Sequence, residues 1–284
     1  MGGRKLEKIK QNPFVKKVGF NRIVLCCVLL LMYGLFCALT GGSFAGMNRI
    51  MSALNYAYFL GFLSLGVTFV IATGQIDFSI GPVMFCCALI SGYTLTTHGI
   101  SMPVAILISI LVGFAFGLFN GYLVAYWSVP SFITSMASMN IAKGLASVYT
   151  KTQSVSWPQA ADPDNGWFRN LVRYNGFPVG LAFIICGVLV GMGAIFYVSA
   201  YTTVQPGYGD QYNNEAIAGC VMGGTSMAGG LASISGTIIG VFIIALLQEG
   251  ILALGFTKDY QLIITGVIVI VAVFSDVLAR RRKN

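Results

Sequence analysis

The chain has 284 residues, of which 56% are hydrophobic and only 9% are charged, and its mean hydropathy is +0.80. A soluble globular domain typically carries about 25% charged residues, so this composition excludes an ordinary soluble fold and indicates a protein whose main solvent is membrane lipid. The formal net charge of +8 arises largely from cations gathered at the two ends of the chain. It therefore predicts no nucleic-acid partner.

The basic residues at the two ends predict the orientation of the chain. Seven cations precede or begin the first apolar run, namely Arg4, Lys5, Lys8, Lys10, Lys16, Lys17 and Arg22, and four more occupy positions 280–283. Because basic residues beside membrane spans mark the cytoplasmic side, we expect both termini to be cytoplasmic. The predicted organisation is a basic segment at 1–21, a transmembrane domain at 22–278 and a basic tail at 279–284.

Long apolar runs predict the transmembrane helices, since about 20 such residues cross a hydrocarbon core. They lie near 22–40, 50–73, 79–97, 103–127, 131–149, 179–201, 233–255 and 260–278. The glycine-broken segment 213–230 is predicted to be re-entrant or a short, broken span, and the polar stretch 150–178 an outer loop. The expected fold is an all-α polytopic bundle of about 8–10 spans with broken or re-entrant helices.

Glycines spaced by four residues predict close helix contacts, because positions i and i+4 share one face of a helix. The pattern occurs at Gly113, Gly117 and Gly121, at Gly187 and Gly191, at Gly219 and Gly223, and at Gly236 and Gly240. This pattern favours a compact bundle.

Motifs of enzyme chemistry are missing from the sequence. It contains no H-E-x-x-H, no G-x-S-x-G and no phosphate-binding G-x-x-x-x-G-K-[ST] loop. The seven cysteines lie in apolar segments and form no C-x-x-C pair, which argues against a disulfide framework or a zinc site. We therefore predict no catalytic residue, no metal, no cofactor and no enzymatic activity of the chain itself.

A few polar residues interrupt the apolar runs and are candidates for function, because such residues usually face a cavity or a partner. Asn120, Gln248 and Glu249 are the predicted residues of a substrate pathway, although Asn120 also suits an interhelical hydrogen bond and Glu249 an interfacial position. Asp77 lies between two apolar stretches. Its carboxylate either caps the helix that begins near Ser79 or takes part in gating.

Three sequence blocks resemble, in the same order, the ribose/galactose-type (monosaccharide) ABC importer permeases. They are "TGQIDFSIG" (73–81), "LVGFAFGLFNGYLVAYWSVPSFITSMASMNIAKGLA" (111–146) and "NNEAIAGCVMGGTSMAGGLASISGTIIG" (213–240). The resemblance marks six signature positions as structural or gating residues: Asp77, Ser79, Gly81, Gly223, Gly224 and Thr225. Gln75 and the pair Ala232-Ser233 depart mildly from the family pattern.

The resemblance implies the transmembrane subunit of an importer in a bacterial inner membrane that carries a small polar solute, such as ribose or galactose. It further implies a second permease subunit, identical or different, cytoplasmic ATPase subunits and an extracytoplasmic solute-binding protein that carries most of the specificity. Nucleosides, autoinducer-2 and branched-chain amino acids are alternative solutes within this class. An ion-coupled secondary transporter is the alternative from another class, and it would require paired acids inside the bundle.

One departure from the family is large. After the outer loop, such permeases have a further span and a cytoplasmic loop that docks on the ATPase, whereas here "RYNGFPVG" (173–180) runs directly into "LAFIICGVLVGMGAIFYVSAY" (181–201). Either one span and one coupling loop belong between 180 and 181 and are skipped in this sequence, or this segment is deleted from the protein; we expect the former.

Overall fold

A computed structural model describes residues 20–159, 162–168, 189–227, 232–257, 260–267 and 270. Most of these residues are helical. The helices are α1 (Phe20–Leu39), α2 (Met47–Ala72), α3 (Ile80–His98), α4 (Met102–Ala125), α5 (Ser131–Tyr149), α6 (Leu189–Ala200), α7 (Asp210–Met222) and α8 (Ile234–Ala253). A 3-10 turn at Ser43–Ala45 precedes α2, and residues 260–267 are also helical.

The turn between α3 and α4 shows how the sequence sets helix ends. Gly99 follows the last residue of α3 with a left-handed φ of 62°, and its N–H donates to the carbonyl oxygen of Leu95. Glycine adopts this conformation without a Cβ penalty and commonly ends helices. Ser101 and Pro103 then begin α4, where proline costs no hydrogen bond because the first-turn N–H groups are unpaired in any case.

Two helices form the centre of the bundle. α2 packs against α6, α7 and α8, while α3 packs against α4, α5, α6 and α7. In the most apolar 18-residue stretch of each helix, 72% of the residues are buried in α3 and 56% in α2. The corresponding share is only 17% in α4 and 6% in α1. α2 and α3 are therefore interior helices, and α1 and α4 present most of their apolar surface outward, as a lipid-facing helix does.

The predicted fold class is confirmed, since the described chain is an all-α polytopic bundle. Five of its helices are long and apolar enough to cross a membrane: 22–39 of α1, and the whole of α2, α3, α4 and α8. α5 has span length but is less apolar, and α7 is a short helix of 13 residues within the predicted broken segment. The predicted spans 179–201 and 260–278 lie partly outside the described residues.

The described part of the predicted outer loop packs into the bundle. Val155–Ser156 (β1) pairs antiparallel with Thr203–Val204 (β2), with Val155 opposite Val204. The Trp157 indole is buried, and its Nε1 donates a 3.2 Å hydrogen bond to the carbonyl oxygen of Ala88 on α3. Period-2 alternation is invisible in strands of two residues, so the sequence analysis did not predict them.

The glycine spacing correctly predicts one close helix contact, whereas the contact it predicts at Gly117 has no counterpart within the described chain. A Cβ at Gly223 would overlap the backbone of Gly236, and a Cβ at Gly240 would overlap the carbonyl oxygen of Gly219, so α7 and α8 cross in backbone contact. In contrast, the described chain places nothing within 4 Å of a Cβ at Gly117. The same spacing on outward-facing α4 therefore makes no helix contact within the described bundle.

Candidate functional site

A cavity of about 750 Å³ lies among α2, α3, α6, α7, α8 and the helical segment 260–267. Its volume is in the range of about 300–1,000 Å³ that is usual for small-molecule sites. Tyrosine, glutamine and glutamate dominate the lining. They are Tyr56, Tyr197, Tyr201, Tyr208 and Tyr212; Gln205, Gln211, Gln248 and Gln261; and Glu215 and Glu249.

Glu215 on α7 is the most enclosed acid of the cavity, with 3% of its surface exposed. The Tyr56 hydroxyl on α2 donates to its Oε2, and Gln248 Nε2 on α8 donates to its Oε1 over 2.8 Å. Removing a carboxylate from water is costly unless it is hydrogen-bonded, and here each oxygen accepts one hydrogen bond. Three helices therefore fix the position of this carboxylate.

Gln248 connects Glu215 to the last described segment of the chain. Its Nε2 also donates to Thr265 Oγ1 over 3.2 Å, and Gln261 Nε2 donates to the Gln248 carbonyl oxygen over 3.0 Å. A side-chain amide with two hydrogen-bond partners has little rotational freedom. The orientation of Gln248 is thereby fixed by groups from both sides of the cavity.

Aromatic rings form the wall beside these polar groups. Tyr212 stacks on Phe85 with an interplanar angle of 19° and a distance of 5.7 Å between the ring centroids. The ring centroids of Tyr197 and Tyr212 are 5.8 Å apart. Tyr201 follows one helical turn after Tyr197, with the two ring centroids 4.8 Å apart. Behind them, the buried ring of Phe59 meets Tyr197 and Tyr212 edge-on. This packing holds the tyrosine rings at fixed positions along the cavity.

Glu249 lies at the edge of the cavity and faces a cation. Arg49, in the first turn of α2, places Nη1 4.0 Å from Glu249 Oε2, and the side chains are 44% and 11% exposed respectively. A pair this exposed on the arginine side contributes little stability. Among the described residues, the cavity lining includes two glutamates and no lysine, arginine or histidine, so this part of the wall is acidic.

Of the three predicted pathway residues, the structure places Gln248 and Glu249 at the cavity and Asn120 elsewhere. Asn120 Nδ2 donates to Ser79 Oγ over 3.0 Å, and Ser138 Oγ donates to Asn120 Oδ1. These contacts tie α4 to the start of α3 and to α5. Asn120 thus makes the interhelical hydrogen bonds that were the alternative interpretation of this residue.

Asp77 lies in the turn before α3. Its Oδ1 accepts hydrogen bonds from the backbone N–H of Ser79, over 2.7 Å, and from the Ser79 hydroxyl, over 2.6 Å. Ser79 is the N-cap residue of α3, and its own side chain makes no capping bond. These contacts are those of a carboxylate that orders the start of a helix.

Gly81 allows the first turn of α3 to meet the start of α7. A Cβ at this position would overlap the carbonyl oxygen of Gly209. Asn213 bridges the same contact, since its Oδ1 accepts from Gly81 N and its Nδ2 donates to the Phe78 carbonyl oxygen, each over 2.6 Å. The first and the last blocks of the family signature therefore meet at backbone distance.

The signature residues after α7 form the turn towards α8. Gly223 contacts Gly236, and Gly224 has a left-handed φ of 94°, which side-chain-bearing residues rarely adopt. Thr225 Oγ1 accepts a 3.3 Å hydrogen bond from the backbone N–H of Ser233 at the start of α8. These contacts are structural, and none of the three residues lines the cavity described above.

The sequence analysis missed the residues at the centre of the site, Glu215, Tyr56 and Tyr212. Glu215 stands at the start of the late signature block, in a segment whose helix is too short to register as a span. The available signal was its spacing: Tyr212 precedes Glu215 by three positions, which places both on one helix face. The convergence of α2, α7 and α8 is a tertiary feature that the spacing does not contain.

Comparison with known proteins identifies the family. The family model described as "Branched-chain amino acid transport system / permease component" matches residues 49–178 and 169–273. The chain belongs to this family. As a member of it, the chain is a transport permease component and a multi-pass inner-membrane protein.

Similar proteins from bacteria are sugar permeases. The chain is 28% identical to the "Ribose import permease protein RbsC" of Escherichia coli strain K12, with 82% of this chain and 87% of the relative covered. It is 29% identical to the ribose import permease of Bacillus subtilis strain 168, covering 82% and 86%. It is 26% identical to the "L-arabinose ABC transporter permease protein AraH" of Azospirillum brasilense, covering 93% and 90%. No solved structure matches.

These findings confirm the predicted membership in the monosaccharide ABC importer permeases and the predicted role as an importer permease. ATPase and binding-protein partners are general to such systems. The description of the family names branched-chain amino acids, whereas the relatives given above are named for ribose and arabinose. The family description and the names of these relatives therefore point to different solutes.

Proposed function

We propose that this chain forms the membrane passage of an ATP-driven importer for a monosaccharide, and that the solute travels through the cavity at Glu215. The observation that carries the proposal is the combination of tyrosine rings with glutamate and glutamine side chains along one cavity. A sugar ring has apolar C–H faces, which pack on aromatic rings, and hydroxyl groups, which bond to carboxylates and amides.

The lining fits a neutral polyol better than a branched-chain amino acid. An amino acid brings a carboxylate, and the described part of the cavity wall has two glutamates and no cation. Arg49 lies nearby but faces Glu249. A branched aliphatic side chain would need an apolar pocket, yet among the described lining residues the aliphatic ones are Leu252, Leu262 and Ala200 alone. The same acidic wall disfavours phosphorylated sugars.

The proposed energy source is ATP hydrolysis in a separate cytoplasmic subunit. The sequence contains no phosphate-binding loop, and ion coupling would need acids arranged around a transported cation. We further propose a second permease subunit, identical or different, and an extracytoplasmic binding protein that delivers the solute. The ribose and arabinose permeases that the chain resembles support the sugar.

We also propose that relatives of this chain carry a span and a coupling loop where residues 180 and 181 adjoin. The alignment with the Escherichia coli relative extends over 283 positions but takes in only 82% of 284 residues, about 233. About 50 positions of that alignment thus have no residue from this chain. In addition, the family model matches the chain in two separate pieces, and these pieces overlap at residues 169–178. Both observations support a missing segment near this junction, which lies outside the described residues.

The proposed orientation places both termini in the cytoplasm and the loop at 150–178 outside. A cysteine introduced at Asp164, an exposed loop residue, should react with a membrane-impermeant maleimide on intact cells. A cysteine at Asn284 should react only after the cells are opened. The reverse pattern would contradict the orientation, and the parent chain with its native cysteines supplies the background.

The proposed function is tested with the chain reconstituted into liposomes together with its ATPase and binding protein. We expect uptake of radiolabelled D-ribose, L-arabinose or D-xylose against a gradient that requires ATP and stops when the ATPase is inactivated. Radiolabelled L-leucine is the matched control and should not accumulate. Uptake that persists without ATP but collapses with the ion gradient would instead establish a secondary transporter.

A further inference from the structure

We infer that the cavity is a binding site of the permease itself, in which the Glu215 carboxylate accepts hydrogen bonds from two neighbouring hydroxyl groups of a monosaccharide. This inference rests on the proposed function and goes beyond it. A passage needs only to open and close, whereas a binding site selects among solutes. The permease would then add to the selectivity that the resemblance assigns mainly to the binding protein.

The first step in the argument is the free acceptor capacity of Glu215. A glutamate side chain carries two oxygens, and each oxygen has more than one lone pair. Tyr56 occupies one site on Oε2 and Gln248 occupies one on Oε1. Each oxygen therefore retains acceptor capacity, and Glu215 lines the cavity. Two adjacent hydroxyl groups of a sugar supply a matching pair of donors.

The second step is that Glu215 is held in place before any solute arrives. Its partners come from α2 and α8, and Gln248 is itself held by Thr265 and Gln261. A side chain fixed by partners on rigid helices loses little entropy on binding. A carboxylate that served only to join helices could lie entirely between them. Glu215 instead also lines a cavity of about 750 Å³.

The third step is the ring beside the carboxylate. Tyr212 precedes Glu215 by three positions on α7, so both residues lie on the same helix face. The Tyr212 ring is itself fixed by stacking on Phe85. A flat apolar surface next to a hydrogen-bond acceptor suits a molecule with a C–H face and an edge of hydroxyl groups. The ligand class that suits this juxtaposition is a cyclic polyol with a vicinal diol.

The test is direct binding to the full chain in lipid nanodiscs, without ATPase or binding protein. The probes are radiolabelled D-ribose, L-arabinose and D-xylose, each measured by equilibrium dialysis. Unlabelled 2-deoxy-D-ribose and 3-deoxy-D-ribose are the competitors, because every vicinal diol of ribose is broken in at least one of them. We expect saturable binding of at least one pentose. At least one of the two deoxy sugars should compete about tenfold or more weakly than D-ribose, as expected for the loss of a buried hydrogen bond.

Variants locate the binding site. Glu215→Gln should weaken pentose binding about tenfold or more, because the amide replaces one acceptor by a donor. Asp162→Asn is the matched control, since Asp162 lies in the loop and caps Asp164 and Asn165 through Oδ1, an acceptor that asparagine retains. This control should bind as the parent does. The comparison of D-ribose with its two deoxy analogues on the parent chain tests the inference even where Glu215→Gln does not fold.

The outcomes separate the inference from the proposed function. If no pentose binds saturably, if Glu215→Gln binds as well as the parent, or if both deoxy sugars compete as well as D-ribose, the inference is wrong. The proposed function still stands in those cases, provided that the complete importer accumulates a pentose with ATP. If the complete importer accumulates no pentose, the proposed function itself is wrong.

Discussion

Glu215 on α7 and Gln248 on α8 share a 2.8 Å hydrogen bond from Gln248 Nε2 to Glu215 Oε1. The bond joins two helices whose backbones are already in contact at their glycines. Close packing of α7 on α8 therefore positions the two polar side chains for this hydrogen bond. Gln248 also donates a hydrogen bond to Thr265. A movement of the 260–267 segment would therefore shift Gln248 and alter its hydrogen bond to Glu215. The cavity thus connects its acidic centre to three separate parts of the bundle.

Gly81 and Gly117 provide a matched pair for testing helix packing. Gly81→Ala would force a Cβ into the carbonyl oxygen of Gly209, and we expect a loss of about 1–3 kcal/mol in the free energy of unfolding. Gly117→Ala meets open space in the described chain and should be neutral or gain about 0.5–1 kcal/mol from helix propensity. Denaturant midpoints in detergent measure both. Equal losses in the two variants would refute the close contact of α3 with α7.

Asp77 is predicted to order the start of α3 rather than to move during transport. Asp77→Asn retains the Oδ1 acceptor for the Ser79 N–H and hydroxyl, whereas Asp77→Ala removes it. We expect asparagine to be tolerated and alanine to cost about 0.5–2 kcal/mol of stability. The measurement is the unfolding midpoint together with the uptake rate of the complete importer. Equal loss of uptake in both variants at unchanged stability would instead assign the charge a role in gating.

Trp157 is predicted to report on the docking of the loop against α3. Its indole lies so close to Gly92 that a Cβ there would overlap the indole ring. Gly92→Ala should displace Trp157 and break its hydrogen bond to the Ala88 carbonyl oxygen. We expect greater quenching of tryptophan fluorescence by acrylamide, measured in a background where the exposed Trp127 and Trp167 are phenylalanine. Unchanged quenching would show that the loop docks in another way.

The junction of residues 180 and 181 is predicted to lack a segment that coupling requires. One span of about 20 residues plus a docking loop matches the roughly 50 alignment positions without a counterpart here. Sequencing of the natural gene across this junction should therefore reveal about that many additional codons. If the gene reads directly from Gly180 to Leu181 and the protein imports solute with its ATPase, this account of coupling is wrong.

The sequence predicted the helices of the fold well because a long apolar run by itself indicates a membrane-spanning helix. The boundaries of α3, predicted at 79–97 and observed at Ile80–His98, are an example. It also led to Gln248 and Glu249, which line the cavity, since polar residues inside an apolar run are conspicuous. Asn120 showed the same signal but makes interhelical bonds instead. An apolar context cannot distinguish a residue that faces a cavity from one that faces another helix.

The centre of the site was not predictable in the same way. Glu215 lies in a segment that is too short and too polar to stand out, and its partners Tyr56 and Gln248 are 159 and 33 positions away. Likewise, nothing in the spacing of Gly117 distinguishes it from Gly219, yet only Gly219 meets another helix in the described chain. Which face of a helix turns inward depends on tertiary packing, which the spacing alone does not determine.

The central claim is that solute passes through the cavity at Glu215, and blocking that cavity tests it most directly. Ala200 lines the cavity, so Ala200→Cys places a thiol there that a bulky maleimide can modify after the importer is assembled. We predict that the untreated variant takes up pentose with ATP, that modification abolishes uptake, and that the parent chain treated in the same way is unaffected. Modified Ala200→Cys importers that still take up pentose at the untreated rate would contradict the claim.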